Sequence, residues 1–148
     1  MIQFPPGMPP EARARRAAMM GISLEEVTPP TLDQAKVAAK GRLAAIRFSR
    51  ETGGITVNGT NVLTDRDTQD ALDRIFSCYD RQLISGAIDF RMPDGWTSMT
   101  EPQLRAIAGL IAQHVQACWS AQRVAEEAVD TATTVEAVEA IVAGFMQT

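Results

Sequence analysis

Few residues in this chain have types and spacing suited to chemistry. His114 and Cys118 stand four positions apart, one helical turn, so both side chains could turn toward one metal ion. Zinc usually takes four ligands, and Cys78 is the one further soft donor, so carboxylates that no motif specifies would have to complete the shell. A packed cysteine and a hydrogen-bonded histidine on a buried helix face explain the same spacing. Asp65, Asp67, Asp70 and Asp73 have the density of a calcium loop without its central glycine or closing glutamate. Acidic residues also stabilise the positive end of a helix, and that is the expected role here. Gly53-Gly54 leads into a strand pattern, not a helix start, which argues against a phosphate cradle. A serine triad would have to use His114, the sole histidine, and the sequence carries no G-x-x-x-x-G-K-[ST], G-x-S-x-G or H-E-x-x-H pattern. The expectation is a chain that is not an enzyme, with no catalytic residue, cofactor or metal centre. Two cysteines make no disulfide framework. A Cys78–Cys118 bond would need two apolar helix faces to meet, and burial as thiols is the commoner outcome.

Residues that could work by contact are easier to find. Residues 1–30 hold Pro5, Pro6, Pro9 and Pro10, which fix φ near −65° and lack amide donors, so extended or polyproline-like chain is expected. A short helix over about Glu11–Met20 carries Arg13, Arg15 and Arg16, with Gly21 as its stop and Pro29-Pro30 as the boundary of the arm. Phe4, Met19 and Met20 are apolar anchors too few to form a core of their own. With the three arginines and Trp96, beside a turn, they make up the candidate interaction residues.

The elements that must position these residues are mostly helices. Thr31 with Gln34 forms a capping box that opens a helix to about Arg50, with Val37, Leu43 and Ile46 on an apolar stripe and Arg47 or Arg50 on a basic face. Ile55–Val57, Asn58-Gly59 and Thr60–Leu63 read as strand, type I′ turn and strand. Thr64 with Asp67 is expected to cap the next helix, which buries Leu72, Ile75, Phe76, Tyr79 and Leu83. Gly86 marks a break, and Ala87–Met92 and Trp96–Met99 flank Pro93-Asp94-Gly95 as a second hairpin. Thr100 with Gln103 opens a long helix to about Ala128, whose stripe holds Leu104, Ile107, Ile111, His114, Cys118 and Ala121. That stripe suits the spine of a single-chain core, or a homotrimeric seam. Thr133 with Glu136 should cap a last helix presenting Val135, Val138, Ile141, Val142 and Phe145. The fold class is therefore α+β, mainly α: a small helical domain over 31–148 with two short β-hairpins and an extended Pro-rich N-terminal arm over 1–30.

Several of these stretches resemble a known family in combination. They are Gly54–Gly59, Leu63–Arg66 with Gln69, Asp94-Gly95-Trp96, Thr100–Leu104 and His114–Cys118. Together they are similar to an uncharacterised-domain family found in tail-fibre and tail-fibre-assembly proteins of phages and prophages, over about Asp33 to Ala140. The resemblance implies a virion tail, fibre or assembly context, with other tail or fibre proteins as partners. It carries no catalytic residue to this chain. The alternatives within that reading are a tail-fibre assembly chaperone and, from another class, a small enzyme or metal protein at the host surface.

Composition narrows the partners. Hydrophobic residues make up 45% of the 148 and charged residues 22%, ordinary globular proportions, so a full core is attainable. Residues 1–50 carry eight basic and four acidic side chains, and residues 51–148 carry six and fourteen. The acidic body argues against a nucleic-acid partner, whose phosphates need Lys and Arg. The more cationic leading part could instead dock on an acidic neighbour, including another copy. No apolar run approaches the roughly 20 residues that span a bilayer, and the start lacks the pattern of a secretory signal. Folding in a reducing host cytoplasm and a place in the virion tail are the expectations.

Overall fold

The computed structural model describes Gly7, residues 9–19 and residues 28–148. Helix α1 spans Pro10–Met19, α2 Leu32–Glu51, α3 Arg66–Asp80, α4 Glu101–Thr131 and α5 Val135–Gln147. Strands β1 (Ile55–Val57) and β2 (Thr60–Val62) form one antiparallel hairpin, and β3 (Ile88–Met92) and β4 (Gly95–Met99) form another. The class is mainly α with two small hairpins, as the sequence indicates.

Local chemistry sets most boundaries. At Thr31 and Thr100 both halves of the capping box are made: the threonine hydroxyl accepts from the backbone N–H three residues on, and the glutamine side chain accepts from the threonine N–H. Asn58 (φ 50°) and Gly59 (φ 79°) take the two left-handed positions of the first turn, so Val57 pairs with Thr60. In the second hairpin Met92 pairs with Gly95 across Pro93-Asp94.

Four expectations are corrected. Thr64 does not cap α3. Asp65 is the N-cap, and Thr64 is a fully buried clasp described below. The cap of α5 is Thr134, whose hydroxyl accepts from the Ala137 N–H, one residue later than the pattern at Thr133 suggests. On α2 the buried line is Ala35, Ala39, Leu43, Arg47 and Glu51, at an unbroken spacing of four, and Val37 points outward. Leu83 lies beyond α3, which stops where Gln82 turns left-handed (φ 58°), and it is exposed.

The stripe on α4 also shifts phase. Its inward side runs through Leu104, Ala108, Ile111, Val115, Cys118, Gln122, Ala125 and Val129, alternating steps of four and three, so Ala121 faces outward. A 3.5-residue spacing keeps one seam inward over the whole 31-residue helix, about 46 Å long. That seam spans two apolar clusters. Toward the start of α4, Leu104 and Ile111 pack with Val62, Leu72, Tyr79, Phe90, Met92 and Met99. Toward its end, Ala125 and Val129 pack with Ala35, Ala39 and Leu43 of α2 and Val138, Val142 and Phe145 of α5. The stripe thus serves as the spine of a single-chain core. Among the described residues, α1 supplies none of either cluster.

Candidate interaction site

Between the two clusters the inward line of α2 changes from apolar to ionic. Glu51 is buried, its side chain 1% exposed, and each carboxylate oxygen has its own cation: Oε2 accepts from Arg47 and Oε1 lies 2.9 Å from a guanidinium nitrogen of Arg66. The spacing of four brings Arg47 and Glu51 onto one face, and the fork geometry of Arg47 leaves its Nε to donate to Gln122 Oε1 at 2.9 Å. Aromatic rings close the outer side. The Arg47 guanidinium stacks 4.0 Å from the Trp119 ring centre, and the Phe48 ring lies 6.0 Å from Arg47 and 5.7 Å from Arg66.

His114 and Cys118 line the inner side of the same junction. His114 Nε2 sits 2.9 Å from the Arg50 carbonyl oxygen, which can only accept, so that nitrogen carries the proton and donates. Its lone pair is therefore not offered there to a metal. Cys118 Sγ lies 3.9 Å from the same nitrogen, and burial first, then the charge of Glu51, pushes its thiol pKa up. Cys78 and Cys118 are both free thiols. Among the described residues no three His, Cys, Asp or Glu side chains gather as a metal site. The acidic run on α3 is spread over its start, with Asp65 accepting from the Thr68 hydroxyl.

Thr64 ties this junction to the first hairpin. Its hydroxyl donates to the Glu51 carbonyl oxygen at 2.6 Å and accepts from the Gly54 N–H at 2.8 Å. Gln69 Nε2 donates to the Thr64 carbonyl oxygen at 2.8 Å. Two residues earlier, Val62 enters the apolar cluster under the hairpins.

Above that cluster the two hairpins and α4 enclose an open groove of about 660 Å³, with Val57, Val62, Met92, Met99, Ile107 and Leu110 among its apolar walls. Trp96 borders it and is 72% exposed. Cross-strand pairing sets Arg91 opposite Trp96, with the guanidinium 5.6 Å from the ring centre. Asn58, Thr60, Thr97, Ser98 and Gln103 place polar groups along the rim. A large, rigid aromatic held in the open beside an apolar trough is the composition of an interface anchor.

The structure places Trp96 at this groove, and among the described residues none of the arm lines it. Arg15, Arg16 and Met19 are exposed on α1, Met19 at 87%, and Arg13 is half-buried. Phe4 and Met20 lie outside the described residues. Sequence reading missed Glu51, Thr64 and Arg66. A buried glutamate four after an arginine leaves a faint signal, but Arg66 reaches it from another helix.

The sequence model of a domain of unknown function (DUF4376) matches residues 34–143. No curated protein and no solved structure matches. Among the described residues, no helix is long and apolar enough to cross a membrane.

Proposed function

The chain belongs to the DUF4376 family, and from that premise we propose that it is a non-enzymatic structural component of a bacteriophage tail or tail fibre, holding neighbouring proteins through the face built by its two hairpins. The single observation that carries the contact role is Trp96, 72% exposed at the rim of an apolar groove between the hairpins and α4. The ionisable groups of the interior support it. Glu51, Arg47 and His114 spend their polar contacts on one another, on Arg66 and Gln122, or on the Arg50 carbonyl, fixing helices in place. The tail context rests on the resemblance of the turn and cap motifs, and the matched residues 34–143 cover nearly the same part of the chain.

Proteomics of purified particles from cells producing the phage or prophage tests this reading. A structural component is present at fixed stoichiometry with the tail proteins, and Trp96→Ala lowers its incorporation. Absence from particles, with recovery on unassembled fibre, would sink the structural role and favour an assembly chaperone. An activity lost on His114→Ala would favour a small enzyme instead.

A further inference from the structure

We propose that the outward side of α4 is a homodimer contact, packed antiparallel against α4 of a second copy about a two-fold axis at Ala117. From Ala106 to Gln122 the helix holds no Asp, Glu, Lys or Arg, although Ala106, Leu110, Gln113, Ala117 and Ala121 are all exposed. An exposed helix face ordinarily carries charge, and depletion of charge marks the centre of an interface. The exposed line continues through Val124 to the half-buried Ala128, in steps of four and three. A mean spacing of about 3.7 residues keeps it on one side of a nearly straight helix for about 33 Å. Leu110, 39% exposed, and Val124, 57% exposed, are its larger apolar side chains.

The line reads the same from either end. Outward from Ala117 the steps are four, three and four in both directions. A two-fold axis there sets Leu110 against Val124 of the second copy, Gln113 against Ala121, Ala106 against Ala128, and Ala117 against itself. The larger apolar side chains thus meet each other, and the alanines between them let the helices approach to about 8 Å.

Charge favours the same occupant. Arg105 and Glu127 directly precede the first and last residues of the line, so they stand on one flank, and antiparallel packing brings like flanks together. Arg105 comes level with Val129 of the second copy, between its Glu127 and Asp130. Arg123 comes beside Gly109 and Ala112, which leave it room. No like charges face each other along the line. The chain's own α1 is a poorer match: its ten residues cover about 15 Å, and Arg13, Arg15 and Arg16 would lie near Arg105 and Arg123. The contact leaves Trp96, which alternates to the hairpin face opposite Met99, to other proteins.

Sedimentation of the full chain from about 1 µM to about 1 mM tests the contact. The wild type should pass from monomer to dimer and no further. Ala117→Glu sets two carboxylates face to face at the axis and should weaken association by about tenfold or more. Its circular dichroism at the dilute end should be unchanged, since Ala117 is exposed and outside both core clusters. Orientation is read by cross-linking in a Cys78→Ser/Cys118→Ser background. Ala117→Cys should form a disulfide dimer alone, and Ala106→Cys should form one only when mixed with Ala128→Cys. A wild type that stays monomeric, Ala117→Glu associating normally, or Ala106→Cys cross-linking to itself would each overturn the assignment. None of these outcomes bears on the tail reading, which the particle proteomics decides.

Discussion

Glu51→Ala is the most informative single change in this fold. The carboxylate is 1% exposed and holds Arg47, itself 10% exposed at the side chain, and Arg66, which is 51% exposed. Breaking a buried pair by removing one member costs about 3–5 kcal/mol, because the surviving charge remains in a poor solvent. Two features pull this case to the low end. Arg66 can turn into water, and Arg47 keeps Gln122 Oε1 and the Trp119 ring, the latter worth about 0.5–2 kcal/mol. The expected loss is about 3 kcal/mol. For a body of this size that lowers Tm by roughly 10 °C and the urea midpoint by about 1–2 M, with an unchanged slope.

The double replacement Arg47→Met/Glu51→Met sharpens the test. Apolar residues of similar volume in place of a buried pair are often neutral or stabilising, so the double variant should be more stable than either single one. The cycle should return a coupling of about 1–3 kcal/mol. A loss below about 1 kcal/mol for Glu51→Ala, or strictly additive single effects, would show that the charges are solvated and the argument from burial is wrong.

Three further outcomes follow from the same geometry. Thr64→Val keeps the shape but strands the Gly54 N–H and takes the hydroxyl donor from the Glu51 carbonyl, so urea denaturation should show a loss of about 2 kcal/mol. Thr64→Ser should lose well under half of that. Thr134→Ala should cost about 1 kcal/mol as the loss of an N-cap, whereas Thr133→Ala should cost under about 0.5 kcal/mol; equal effects would place the cap wrongly. In a Cys78→Ser background, alkylation of Cys118 by iodoacetamide should titrate above the ordinary 9.0, because burial and Glu51 raise the folded thiol. The sign is that of a group preferring its protonated form when folded. Its stabilising contribution is complete below 9.0 and disappears as pH rises through the higher folded value. A midpoint at or below 9.0 would contradict the environment described for it.

Elements defined by local chemistry were readable from sequence. The boxes at Thr31 and Thr100 and the Asn58-Gly59 turn need no distant partner, so residue types alone locate them. Errors arose where tertiary contact chose between equivalent local options. Thr133 and Thr134 are adjacent and chemically identical, and packing of Val135, Val138 and Val142 selects the second. Thr64 has the spacing of a cap, but the Glu51 carbonyl and the Gly54 amide compete for its hydroxyl and take it. Val37 is more apolar than Ala35 or Ala39, yet α2 approaches α4 and α5 closely along its alanine line, and the bulkier residue faces water. The candidate site was legible only in Trp96. Its groove brings the first hairpin against the second hairpin and α4, which follow it about 30–50 residues later in the chain.

The ionic junction has a role that apolar packing does not fill. A seam that repeats every three or four residues can in principle be met again after a slide of one helical turn, about 5.4 Å, at modest apolar cost. A slide of α2 along α4 would carry Arg47 and Glu51 together, still paired, but strip them from Gln122 and Trp119 on α4 and from Arg66 on α3, leaving a buried ion pair short of its outer partners. The ion network thus penalises every register but one. From Glu51 the constraint passes through the Thr64 hydroxyl to the end of β2, and Val62, two residues away, lines the groove beside Trp96. A contact surface works only if its anchor is held in place before the partner arrives. A carboxylate buried between two clusters, too costly to be explained as a stabiliser, is accounted for as the group that fixes where that surface stands.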